Sequence, residues 1–239
     1  MHGEDNTRAD NQTPPGAKLV GNVWLPESEA HLNEMMINNP KKRNIRFIDN
    51  QATYQYHKLE VCLNHLKSVN SPMRVAIDIG AHVGLWAMQM VKHFEHVYCF
   101  EPLKEHSDIL PFNIDSDNYS IHHVALGNQI SKVKMNVKTR NTGATHIGKI
   151  GEGNIDMILL DSLNLTDVDF IKIDVEGFEI GVILGAINTI MKNKPLMIVE
   201  QKGNDVKNFG GQRNEASKLL EKLGMRQIKN MANDLIMSF

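Results

Sequence analysis

Carboxylates stand at the ends of four apolar runs. Asp78 lies inside 75–84 (VAIDIGAHVG), two residues before Gly80, and Glu101 follows 96–100 (HVYCF) just ahead of Pro102. Asp174 and Glu176 close 168–176 (VDFIKIDVE), and Glu200 closes 195–200 (PLMIVE). Ionised acids accept hydrogen bonds from hydroxyls or take a proton from one as a general base. They also cap helices, a use that Asp174 and Glu176, just before Gly177, fit best. A structural protein has little reason to line one edge with so many.

These acids share an edge only if the runs are neighbouring strands. Residues 75–79 are apolar but for one acid, as in a parallel strand buried on both faces. Gly80-Ala81-His82-Val83-Gly84 then turns tightly into a helix, leaving bare backbone amides where a ligand can approach. The pattern D-x-G-x-x-x-G is not the dinucleotide-binding G-x-G-x-x-G, because position 82 lacks the glycine that lets a pyrophosphate come close. Glu101 lies 21 residues after Gly80, at the tip of the next strand. There it can accept two hydrogen bonds from ribose hydroxyls, with Pro102 fixing the turn that aims it. The alternative, an acid answering the dipole of a helix over 103–110, is as plausible taken alone; the turn upstream favours ribose.

The spacing predicts helices over 53–67, 85–94, 178–191 and 214–223, and strands over 120–124, 130–138, 155–160, 168–174 and 195–200. A glycine- and threonine-rich loop is expected over 141–150, a polar glycine loop over 203–211, and a closing hairpin from 225–228 and 235–239. Strands alternating with helices give a mostly parallel α/β sheet, whose ligands bind beyond the strands' carboxyl ends. Residues 1–16 are expected as a mobile tail, 17–70 as an extension with a helix, and 71–239 as the α/β domain. Lys41-Lys42-Arg43 is read as a solvated basic loop. Tyr54, Tyr56 and His57, near the start of the first helix, are read as ordinary packing residues, one of which could touch a ligand.

Composition narrows the function further. The 239 residues are 41% hydrophobic and 23% charged, enough for a packed core. A net charge of −2 argues against a general nucleic-acid surface. No apolar run approaches a membrane span and no signal-peptide pattern opens the chain, so a cytoplasmic location is expected. Cys62 and Cys99 read as reduced, buried thiols. Eleven histidines raise the question of metal, but His122 and His123 face opposite sides of a strand and no H-x-x-x-H occurs; no catalytic metal is expected.

The segments 76–87 (AIDIGAHVGLWA), 98–110 (YCFEPLKEHSDIL), 124–128 (VALGN), 142–145 (TGAT), 159–163 (LLDSL), 169–186 (DFIKIDVEGFEIGVILGA) and 195–201 (PLMIVEQ) together resemble the FkbM family of S-adenosylmethionine-dependent methyltransferases. KIDVEGFE is the most discriminating of them. The VEQK at 199–202 and the TYQ at 53–55 are similar to phage-encoded members, for which the location would be the host cytoplasm. The resemblance implies a Rossmann-like class I methyltransferase fold with helices on both faces of a twisted sheet and a C-terminal antiparallel hairpin. It implies S-adenosyl-L-methionine as cofactor and a small-molecule or glycan acceptor, with O-methylation of a sugar, glycan or other hydroxylated compound. Position by position, it implies that Gly80, Ala81, His82 and Gly84 lie against the cofactor, with Asp78 fixing the turn or reaching the methionine amine through water. Glu101 and Pro102 would hold the ribose, and Ala125 and Leu126 would contact the adenine. Lys172, Asp174 and Glu176 would stand near the transferring methyl, and Glu200 would line the acceptor side. His82 departs from the Asn that commonly fills its place.

A hydroxyl acceptor needs a base, for which Asp174 is the first candidate and His146, in the glycine-rich loop, the second. Two other classes stay open: a nicotinamide-dependent oxidoreductase on a Rossmann sheet, disfavoured by the missing G-x-G-x-x-G, and a non-catalytic cofactor-binding domain.

Overall fold

A computed structural model of the chain describes residues 13–38, 44–201 and 214–239. The expected tail up to residue 12, the basic cluster Lys41-Lys42-Arg43 and the expected loop at 203–211 lie outside the described residues.

The extension opens with two hairpins, β1 (Ala17–Val20) with β2 (Val23–Pro26), and β3 (Ile45–Ile48) with β4 (Gln51–Tyr54). Each turns through two residues at positive φ, Gly21-Asn22 and Asp49-Asn50, the geometry that matches strand twist in a two-residue hairpin. The helix α1 (His31–Asn38) lies between them. Helix α2 (Tyr56–Ser68) buries Leu59, Cys62, Leu63 and Leu66, as the spacing predicts, but Thr53 and Tyr54 belong to β4. Gln55, at φ 57°, breaks strand from helix.

The α/β unit then runs β5 (Val75–Ile79), α3 (Ala87–Met90), β6 (His96–Phe100), α4 (Lys104–Ser107), α5 (Leu110–Asn113) and β7 (Tyr119–His122). It continues with β8 (Ala125–Leu126), β9 (Ser131–Asn136), β10 (His146–Ile150), β11 (Ile155–Ile158), β12 (Val168–Ile173), α6 (Glu179–Leu184) and α7 (Ile187–Asn193). It ends with β13 (Leu196–Glu200), α8 (Glu215–Lys222), β14 (Arg226–Met231) and β15 (Asp234–Ser238).

Seven strands form the main sheet in the order β14-β15-β13-β12-β5-β6-β7. Strands β13, β12, β5, β6 and β7 are parallel, and β15 joins β13 antiparallel as the near arm of the C-terminal hairpin. This is the class I methyltransferase arrangement that the resemblance implies. Alternate residues feed two cores. Ala76, Val97, Phe170 and Ile198 pack with the extension and α2, while Ile77, Ile79, Ile171, Ile173 and Val199 pack with α6, α7 and α8. That alternation explains the near-continuous apolar runs. A smaller sheet, β10-β9-β11-β8, stands beside it. Among the described residues, no helix is long and apolar enough to cross a membrane.

Several elements are shorter than their spacing predicts, for identifiable reasons. Of 85–94 only Ala87–Met90 is α-helical; the Asn118 amide takes the carbonyls of Val91 and Phe94 (3.0 and 2.8 Å) and ends it. The helix expected over 103–110 is two short ones, with Pro111 opening the second, where a missing N–H costs nothing. The helix expected over 178–191 divides at Gly185-Ala186. There the Asp161 carboxylate accepts the amides of Asn188 and Thr189 (3.0 and 2.7 Å) and caps α7 from outside. The loop expected over 141–150 is a 3₁₀ turn at Thr142–Ala144 followed by β10. Cys62 and Cys99 are buried free thiols.

Candidate active site

Strand β5 sits where the chain reverses its direction of travel across the sheet: β6 and β7 extend to one side, β12 and β13 to the other. Ligands of open α/β sheets bind at such a switch point, beyond the strands' carboxyl ends. Two adjoining cavities open there, of about 570 and about 910 Å³ to their mouths. Gly80, His82, Gly143 and Asp174 line both and so mark where they meet.

The turn after β5 is fixed from several sides. The amides of Gly80 and Ala81 both donate to the Phe100 carbonyl (3.0 and 3.1 Å). Gly80 stands at φ +76°, and a Cβ there would meet the Asp174 carbonyl oxygen at 1.9 Å, so the position admits only glycine. Lys172 crosses from β12 and donates to Asp78 Oδ1 and to the Gly80 carbonyl, both at 2.9 Å. Burial opposes its charge, but Asp78, Asp174 and Glu200 around it outweigh that and hold its pKa above the ordinary lysine value. Asp78 is fully buried and lines neither cavity, and its Oδ1 accepts the Lys172 ammonium that also reaches the Gly80 carbonyl. Gly84 is likewise not a lining residue, but packs on Leu110.

The smaller cavity is lined by the apolar residues Phe100, Val124, Ala125, Leu126 and Phe178 together with Glu101, Pro102 and His106. Glu101 is buried and accepts the amides of His82 (2.9 Å) and Leu103 (3.0 Å), with His106 Nδ1 at 3.3 Å. The larger cavity mixes charged and apolar residues. Ala81, Trp86, Lys172, Asp174, Glu176 and Glu200 line it from the sheet side. His31, Leu32 and Tyr54 line it from the extension, so Tyr54, read from sequence as packing, faces the larger space.

Asp174, Glu176 and Glu200 each bring a carboxylate oxygen within 4.8 Å of the others'. An all-oxygen set of this kind suits a hard divalent cation, an ammonium group or several hydroxyls. The Gly177 amide ahead of α6 donates to Glu179 Oε1 at 2.9 Å.

His146 is not brought to the site. It opens β10, its neighbours Thr145 and Ile147 line the smaller cavity, and strand alternation turns its ring the other way, to Asn136 and the Ala144 carbonyl. Other residues of the site went unread. His106 supports Glu101, and fully buried Glu29 grips Thr142. Glu29 carries no sequence signal, because its partner lies 113 positions away.

Methyltransferases are among the solved structures similar to the chain. A methyltransferase FkbM from Methylobacillus flagellatus KT has a TM-score of 0.44 at 18% identity, over 70% of this chain and 43% of that one. This chain thus spans less than half of that protein. The N-methyltransferase NodS from Bradyrhizobium japonicum WM9 in complex with S-adenosyl-L-homocysteine has a TM-score of 0.46 at 8% identity, over 77% and 85% of the two chains. Magnesium protoporphyrin IX methyltransferase from Synechocystis PCC 6803, with bound SAH, has 0.44 at 12%, over 77% and 80%. No curated protein matches the chain. The family model described as "Methyltransferase FkbM domain" matches residues 78–227, from the Asp78 that anchors the turn to the hairpin beyond Glu200. The chain therefore belongs to the FkbM methyltransferase family.

Proposed function

We propose that the protein uses S-adenosyl-L-methionine to methylate a hydroxyl of a sugar, glycan or other small hydroxylated acceptor, with Asp174 as general base. The residues present fit that cofactor. An adenine needs an apolar slot, and Phe100, Ala125, Leu126 and Phe178 supply one. A ribose needs acceptors, and Glu101 lines the same cavity. An amino-acid end needs groups of both signs, and the adjoining space has Lys172 beside carboxylates.

When bound, S-adenosylmethionine supplies a methyl group on a sulfonium, open to in-line attack by an acceptor oxygen. The chain's own part is alignment and proton removal. Lys172 holds the turn that carries Gly80, with Asp78 as its counter-charge. Glu176 and Glu200 can accept hydrogen bonds from further acceptor hydroxyls. Asp174 takes the proton from the attacking oxygen, a role typically worth a factor of about 10²–10⁴. The observation that carries the assignment is that Asp174 is the acid lining both cavities, at their junction. The sheet alone would also admit a nicotinamide oxidoreductase, but no site observation favours it.

The test is Asp174→Asn, after a screen of sugars and glycans has found an acceptor. The expected result is a fall in methyl transfer of about 100-fold or more, with S-adenosylhomocysteine affinity kept. Transfer is expected to survive EDTA. An Asp174→Asn enzyme with undiminished turnover overturns the base; absence of any S-adenosylhomocysteine heat in calorimetry overturns the cofactor.

A further inference from the structure

A line of hydrogen bonds runs from the extension to the junction of the two cavities. Glu29 Oε1 accepts the Leu32 amide (2.9 Å), and Oε2 accepts both the Thr142 amide (2.6 Å) and the Thr142 hydroxyl (2.5 Å). Thr142 Oγ1 lies 2.7 Å from His82 Nε2. A hydroxyl has one proton. Here it goes to Glu29, so His82 Nε2 must be the donor and Thr142 the acceptor. The neutral ring is therefore the Nε2–H tautomer, and Nδ1 keeps its lone pair. Burial, then the proximity of His106 and Lys172, pulls the His82 pKa well below the ordinary histidine value and keeps the ring neutral. Nδ1 makes no hydrogen bond among the described residues, on a ring that lines both cavities.

Glu101 needs help with a diol. A carboxylate offers about four lone-pair positions. The His82 amide occupies one on Oε2, and the Leu103 amide and His106 Nδ1 occupy both on Oε1. One position is left, on Oε2, whereas two neighbouring hydroxyls bring two protons.

We propose that His82 Nδ1 is the second acceptor for the vicinal diol of the adenosyl ribose, beside Glu101 Oε2, and that Glu29 and Thr142 are positioning residues that keep His82 in the accepting tautomer. The assignment rests on the S-adenosylmethionine reading above. It gives a use to the histidine that replaces the family's common Asn: both present an acceptor, and His82 holds φ +52°, a left-handed conformation in which Asn and His are enriched.

The test is nitrogen NMR of the full chain labelled with ¹⁵N in its histidine rings. His82 is identified by the signal missing in His82→Asn. The protein is titrated with S-adenosylhomocysteine and, separately, with its 2′,3′-dideoxy analogue. The free protein is expected to show His82 protonated at Nε2 and bare at Nδ1. The Nδ1 signal should move with S-adenosylhomocysteine and stay still with the analogue. By calorimetry, Thr142→Val should weaken S-adenosylhomocysteine about tenfold, the worth of one hydrogen bond, and leave the analogue's affinity unchanged. Glu29→Gln serves as second variant if Thr142→Val does not fold. A proton on Nδ1 in the free protein, or an unmoved Nδ1 with S-adenosylhomocysteine bound, overturns the assignment and leaves the cofactor standing. No S-adenosylhomocysteine binding at all overturns both.

Discussion

A single methyl group on Gly80 would occupy the space of the Asp174 carbonyl oxygen, 1.9 Å away, on a backbone at φ +76°. Strand ends on β5 and β12 would have to separate to admit it. Gly80→Ala is expected to cost about 3 kcal/mol or more in urea unfolding; a loss below about 1 kcal/mol would mean the turn can reshape. On the proposed reading, Glu101 governs ligand more than fold. Glu101→Ala is expected to weaken S-adenosylhomocysteine binding by about 1.5–3 kcal/mol, the range for a charge-assisted hydrogen bond, and unchanged affinity in a folded variant would remove it from the site. Both residues were legible from spacing, since a glycine turn after one buried strand and an acid after the next are local patterns. His146 misled because a loop histidine looks available until strand pairing turns it away.

At the scale of elements, α6 carries a pH-dependent cost. Glu179, in its first turn, has its carboxyl pushed up to about 7, by burial first and Asp174 last; the amides that bond it act the other way. Folding therefore favours the protonated acid. The associated stability is complete below about pH 4.5, where the unfolded chain is protonated too, and is lost as pH rises through about 7. Glu179→Gln should gain on wild type by on the order of 3 kcal/mol between pH 4.5 and pH 8. Parallel pH–stability curves for the two proteins would contradict the shift. The strands were the most readable elements, because burial on both faces leaves an apolar run that needs no partner to be recognised. Helix lengths were less so: Asn118 and Asp161 end or divide helices from 24 and 27 positions away, beyond any local signal.

At the scale of the whole molecule, the extension is part of the core. Val20, Leu25, Leu32 and Leu59 share one cluster with Ala76, Val97 and Phe170 of the sheet. One of its polar ties is Lys58 of α2, paired with Asp234 of β15 at a site where both side chains are buried. Removing the ammonium takes the counter-charge from a buried carboxylate, so Lys58→Met should cost about 3–5 kcal/mol. The double variant Lys58→Met/Asp234→Leu should recover most of that in the same unfolding assay. Equal losses in single and double variants would show that packing, not charge, holds α2 to the hairpin. The composition of 17–70 gave a helix and some apolar residues, but not that they complete the wall of a cavity built from strands far along the chain.

The Lys172–Asp78 pair has a meaning for how the sheet assembles. The two residues are direct register partners on β12 and β5, with Ile198 of β13 on the other side. Hydrophobic runs such as FIKI and VAIDI would pair almost as well one residue out of step, since nearly every position is apolar. A slip would strand an ammonium opposite Ile77 or Ile79 and leave an aspartate with no counter-charge in the dry interior. The charged couple therefore acts as a proofreading key for two otherwise interchangeable strands: only one alignment is permitted, and that alignment is the one that brings Gly80 against Asp174.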